Sequence, residues 1–216
     1  MSVSFIEDTG VGQLGLWEIS ESTEKLLALL RPEPDEVELF LKFRNDLRRK
    51  EWLATRLLVR QMRGQDSRIG YDPSGKPILT NSPGFLSITH AAGFVAIYYH
   101  PDCHPGIDIE LITRNVERVA QRFLSARERE DCTFENILSN KDLMLRWCAK
   151  EAVFKMVPIS DIDFASQIEC YAVPLQGNEG NMITIFISSN RSIQIPLQFR
   201  LIGDLLMVWG HQNYFT

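Results

Sequence analysis

Four ionisable side chains are spaced so that they could act on one substrate. Asp108 and Glu110 stand two apart in Gly106-Ile107-Asp108-Ile109-Glu110. Among β-branched neighbours, a strand would send both carboxylates to one face. Glu151 and Lys155 stand four apart in Trp147-Cys148-Ala149-Lys150-Glu151-Ala152-Val153-Phe154-Lys155, which places them on one helix face. Three carboxylates and an ammonium form the donor set that a magnesium ion and a diphosphate need: hard oxygen ligands for the ion, and a cation against phosphate charge. Neither segment decides the matter alone, because alternating acids often mark a solvated strand face and i, i+4 Glu–Lys pairs are common on helices. Their joint occurrence points to a site.

Such a site needs elements to hold it. Ile107 to Leu111 reads as a strand with the acids facing away from the buried Ile107, Ile109 and Leu111. Lys141 to Met156 reads as a helix that stops before Pro158, which cannot continue it. Upstream, Leu39 to Met62 reads as one long amphipathic helix and Tyr71 to Pro77 as a turn-rich loop. Phe85 to Thr89 and Phe94 to Tyr99 read as a hairpin around Ala91-Ala92-Gly93. A helix over Arg118 to Arg129 and strands near Ile168 to Val173, Met182 to Ser188, Ile193 to Phe199 and Leu205 to Trp209 complete an α+β pattern.

The two halves echo each other. Trp52-Leu53-Ala54-Thr55-Arg56-Leu57-Leu58-Val59-Arg60 lines up with 147–155 in its tryptophan, alanine, three apolar residues and closing base. Each copy precedes a glycine and an apolar run, Gly93 to His100 and Gly203 to His211. This suggests an old duplication: two similar lobes related by pseudo-twofold symmetry, 1–103 and 104–216, each a small antiparallel sheet packed on a long helix. A ligand would then sit in the cleft between the lobes.

At 216 residues with 44% hydrophobic content the chain can bury a sizeable core. It has no apolar run near the roughly 18 residues of a membrane span, and its first ten residues lack a signal-peptide pattern. Cys103, Cys132, Cys148 and Cys170 form no CxxC pair and have no histidine at ligand spacing, so they read as reduced thiols of a cytoplasmic protein. The net charge of -5 hides a cluster: Lys42 to Arg68 holds nine bases against three acids. A local basic window on an acidic chain suggests a small anionic ligand and no nucleic-acid partner.

The two long motifs resemble those of 4'-phosphopantetheinyl transferases of the monomeric, two-lobed, surfactin-synthetase-activating type. That family's Gly-x-Asp-x-Glu strand is present at 106–110 and its Trp-x-x-Lys-Glu-Ala/Ser-x-x-Lys helix at 147–155. The resemblance extends to Gly75-Lys76-Pro77, to Ile88-Thr89-His90, and to Arg122 through Glu128, and covers roughly residues 40 to 160. It implies a holo-[acyl-carrier-protein] synthase that moves the phosphopantetheine arm of coenzyme A to a serine of an apo acyl or peptidyl carrier protein, releasing 3',5'-ADP. It further implies magnesium on Asp108, Glu110 and Glu151, with Glu151 also the general base and Lys155 on the phosphates. Coenzyme A would be held by Lys76, Thr89, His90, Arg44, Arg48, Arg49 and Lys155, and Glu128 would be an acid near the metal. A single chain would suffice as a monomer.

The common Ser-His-Ser becomes Thr89-His90-Ala91, which drops one hydroxyl, and Cys148 replaces a small or polar residue. Two other readings fit the motifs: a coenzyme A-binding paralogue without transfer, and a magnesium-dependent hydrolase that uses water on a diphosphate.

Overall fold

Val3–Asp8 alternates half-buried and exposed residues, the period of a strand with one covered face, and forms β1. The structure is a computed structural model that describes residues 3–130, 138–158, 161–171, 177–188 and 191–213. Chain packing divides it into two units, Met1–Asp102 and Cys103–Thr216. Among the described residues no helix is long and apolar enough to cross a membrane.

In the first unit β1 pairs with β2 (Gln13–Glu18), and β2 with β6 (Phe94–His100). The latter pairs with β5 (Phe85–Ala91), giving an antiparallel sheet of order β1-β2-β6-β5. The β5–β6 connection is the two-residue turn Ala92-Gly93, with φ of 51° and 84°, the left-handed pair whose twist suits a hairpin. Both strands run longer than the sequence pattern suggests. Between β2 and β5 lie helices α1 (Thr23–Leu30), α2 (Pro34–Leu41) and α3 (Asp46–Arg63), then the small hairpin β3 (Ile69–Tyr71) and β4 (Pro77–Leu79). Asp72 closes that hairpin by accepting the backbone N–H groups of Ser74 and Lys76 at 2.8 and 2.9 Å. Trp17, Leu53, Leu58, Val59, Val95 and Ile97 form the core between α3 and the sheet.

The single helix expected over Leu39 to Met62 is two helices. Asn45 is extended and its side chain accepts from Arg48 N at 3.1 Å, so it caps α3 and ends helical continuity before it. The strands and helix of the first 30 residues were not anticipated.

The second unit is a five-stranded antiparallel sheet of order β7-β11-β10-β9-β8: β7 (His104–Leu111), β8 (Ile168–Tyr171), β9 (Glu179–Ser188), β10 (Arg191–Ile202) and β11 (Leu205–Gln212). Of the expected strand 168–173, residues 172 and 173 lie outside the described residues, as does Cys132. Helix α6 (Asn140–Met156) lies on β7 and β11, capped by reciprocal bonds between Ser139 and Asp142. Met144, Cys148, Ala152, Met156, Phe186 and Val208 are among the side chains that fill this core.

The expected helix over Arg118 to Arg129 is also broken. It resolves into a 3-10 turn at Glu117–Val119 and two short helices, α4 (Ala120–Phe123) and α5 (Ala126–Glu130). Ser125 interrupts it with a capping box, accepting from Glu128 N at 3.1 Å while Glu128 accepts from Ser125 N at 2.6 Å. A further short helix, α7 (Phe164–Gln167), precedes β8.

Gly106 sets how closely α6 approaches β7. A Cβ there would lie 2.0 Å from the carbonyl oxygen of Ala152, so only glycine fits. Gly106→Ala is expected to destabilise the protein by about 1–3 kcal/mol through this overpacking. Thermal unfolding measures it, and an unchanged midpoint would contradict the close approach.

Candidate functional site

Gly106, Asp108 and Glu110 form one row on β7, the row that faces α6; Ile107 and Ile109, fully buried, form the other. Lys155, in the last turn of α6, reaches this row, and its Nζ donates to Asp108 Oδ1 at 2.8 Å and to the Ile107 carbonyl at 2.9 Å. Glu110 is ion-paired with Arg114. Glu151, one turn before Lys155 and half-buried, shares their electrostatic field. Burial raises the carboxyl of Glu151, and the charge of Asp108 raises it further, against Lys155. Burial likewise raises that of Glu110, opposed first by Arg114. Lys155 thus bonds Asp108, and Glu110 and Glu151 lie within the field of that pair, while the three carboxylates do not gather within 4.8 Å of one another.

The chemistry of this donor set fits a divalent cation. Partly buried carboxylates that repel one another carry a cost that a doubly charged ion relieves, and oxygen ligands are what magnesium prefers. As the side chains stand, Lys155 takes Asp108 and Arg114 takes Glu110, so an ion would compete with two cations. Cys148 sits beneath the group. Burial first, then the charges of Asp108 and Glu110, push its thiol well up, so it stays protonated and is no nucleophile.

Lys150 and Glu128 belong to a different device. Lys150 is wholly buried, and its Nζ donates to Glu128 Oε2 at 2.6 Å and to the carbonyls of Phe123, Phe164 and Ile168 at 2.7, 3.1 and 2.5 Å. Glu128 Oε2 also accepts from Ser125 N, and its Oε1 from Cys170 N at 3.1 Å. Both oxygens of Glu128 are therefore taken by protein donors. This ammonium ties α4, α5, α7 and β8 to α6 and so holds Trp147 against Phe123 and Phe164, with ring centroids 5.3 and 6.0 Å apart. Those rings, with Arg114, Arg122 and Glu151, line a cavity of about 470 Å³.

In the first unit a second cavity, about 240 Å³, is lined by Arg48, Glu51, Trp52, Arg56, Tyr71 and His90 among others. Leu86 and Ile88 face the α3 side of the sheet with Ile97 and Tyr99 opposite them in register, and His90 is next in that row. Arg48 lies 2.7 Å from His90 Nε2. Of the expected coenzyme A residues, Arg48 and His90 are brought together here and the others are not among the lining residues. Thr89 alternates to the reverse face of β5, buried. Arg49 is spent on the Phe43 carbonyl at 2.7 Å and on the face of Phe40. Arg44 is exposed between α2 and α3, and Lys76 precedes the lining residue Pro77. Burial lowers the Lys76 ammonium.

Arg56 was passed over as a site residue. It is 2% exposed, stacks 3.5 Å from the Trp52 ring centroid, and pairs with Glu36. Burial lowers its guanidinium, against the opposing effect of Tyr71 and Glu36. The signal was present in the sequence, since Arg56 occupies the place in the first helix copy that Glu151 holds in the second.

An antiparallel sheet crossed by one long helix, with Asp108 and Lys155 bonded at their contact, makes the second unit a mixed α+β body. Residues 105–194 match the family model of the 4'-phosphopantetheinyl transferase superfamily. The matched stretch lies within the second unit, is less than half of the chain, and contains Asp108, Glu110, Glu151 and Lys155. No curated protein matches the chain.

Proposed function

We propose that this protein transfers the 4'-phosphopantetheine group of coenzyme A to a serine of an apo acyl or peptidyl carrier protein, a holo-[acyl-carrier-protein] synthase activity. The observation that carries the proposal is the Asp108–Lys155 pair at the β7–α6 contact, with Glu110 and Glu151 in its field, inside the stretch that matches the superfamily. Asp108, Glu110 and Glu151 would hold magnesium, which would supply positive charge to the diphosphate oxygens. Glu151 takes the proton of the carrier serine. The serine oxygen forms its bond to the phosphorus next to the pantetheine arm, and the bond from that phosphorus to the bridging oxygen breaks, releasing 3',5'-ADP. Lys155 offsets the charge on the phosphates. Arg48, His90 and Arg56 of the first unit bind the 3'-phosphate, with Lys76, Thr89, Arg44 and Arg49 contributing through backbone or longer-range charge. All these groups belong to one chain, which acts as a monomer, in the cytoplasm.

Incubation with coenzyme A, magnesium and an apo carrier protein tests this directly. The expected result is a carrier heavier by one phosphopantetheine. Release of 3',5'-ADP with the carrier unmodified would instead make the protein a hydrolase, and binding without either product a non-catalytic module.

A further inference from the structure

Glu51 is a carboxylate on the wall of a cavity that also holds Arg48, Arg56 and His90, where simple charge counting has it repel any anion. Its surroundings give it another task. The residue is 5% exposed, and its Oε2 lies 2.9 Å from Arg48 and 3.6 Å from His90 Nδ1. Its own carbonyl is fixed by Thr55, whose hydroxyl donates to it at 2.6 Å. Arg48 in turn lies 2.7 Å from His90 Nε2. The same guanidinium nitrogen also lies 3.3 Å from His90 Nδ1, so Arg48 sits between the Glu51 carboxylate and the edge of the His90 ring.

We infer that Glu51 is a positioning residue that holds Arg48 against His90 in the paired geometry that receives the nucleotide phosphate. The inference rests on reading this cavity as the 3'-phosphate site of coenzyme A. Arg48 is half exposed along its side chain and, untethered, would spread over many rotamers. A fixed guanidinium loses less freedom when an anion arrives. Its contacts to Glu51 and His90 both use Nη1, and a phosphate would be met by the donors of Nη2 and Nε.

The test exploits opposite signs. If Glu51 acts only as a negative charge, removing it tightens binding of an anion; if it positions, removing it weakens binding. Titration calorimetry of 3',5'-ADP into the full chain is expected to show about tenfold weaker binding for Glu51→Ala and a smaller loss for Glu51→Gln, whose amide oxygen still accepts from Arg48. Unchanged or tighter binding in variants with wild-type thermal midpoints overturns the inference and leaves the reading of the cavity standing. A wild type that does not bind 3',5'-ADP overturns both. Because a buried acid is replaced, nitrogen-15 spectra of the Arg48 guanidinium in the unaltered protein give a second measure. Resolved Nη signals of a held guanidinium are expected, and a single averaged signal, as for a free side chain, contradicts the inference.

Discussion

Glu151→Gln is expected to slow phosphopantetheine transfer by about 10²- to 10⁴-fold, the range a general base contributes, while the protein stays folded. Glu151 stands on α6 outside the core that Cys148, Ala149, Ala152 and Val153 fill, so the substitution opens no cavity. The same variant separates two roles of one carboxylate. A ligand bound only by the folded state raises the unfolding midpoint, so magnesium is expected to stabilise the wild type. If Glu151→Gln loses transfer but keeps that stabilisation, the residue is chiefly the base; if both vanish, it is chiefly a ligand. Near-wild-type transfer would remove it from the site. Asp108→Asn is the better companion than Asp108→Ala, since Asp108 is buried and bonded to Lys155, and the amide keeps an acceptor for that ammonium. Its expected signature is loss of both transfer and magnesium stabilisation.

The second large effect concerns two lysines five residues apart on α6. Lys150→Met is expected to destabilise the fold by about 3–5 kcal/mol, because it strands the 1%-exposed Glu128 and three carbonyls without their cation. Lys155→Met is expected to cost the fold less than Lys150→Met, since its side chain is 24% exposed and its ammonium holds one carboxylate and one carbonyl. Its transfer rate is expected to fall by about 10²- to 10³-fold, as for a lost charge-stabilising donor. Chemical denaturation and the transfer assay, run on both variants, check the contrast. Equal stabilities would dissolve the assignment of Lys150 to structure.

The acids and the lysine were legible in the sequence because period decides direction. Residues two apart on β7 must share a face, and so must residues four apart on α6. The helix breaks were less visible. Asn45 and Ser125 are ordinary polar residues inside apolar periodic runs, and only their bonds to Arg48 and Glu128 turn them into caps. The strands of the first 30 residues carried weak alternation, and their stability comes from pairing with β6, which no local pattern announces.

The basic window between Lys42 and Arg68 shows the same limit. Charge density pointed to an anion, yet nine bases looked alike in the sequence. The fold spends Arg49 on a carbonyl and an aromatic face, Arg60 on Glu36, and turns Arg48 and Arg56 to a cavity. Glu51, an acid among bases, had no distinguishing mark until His90 was brought beside it from forty residues away in the chain.

By itself, then, the sequence determined the α+β character, the facing of Asp108 with Glu110 and of Glu151 with Lys155, and the class of chemistry those groups suit. These depend on backbone period and residue type, which are local. Only the tertiary structure decided that Lys150 is a buried strut and that Lys155 bonds Asp108, that Glu128 serves packing, and that Arg48 and His90 meet at Glu51. Each of those outcomes turns on which long-range neighbour a charged side chain finds, and burial makes that neighbour obligatory.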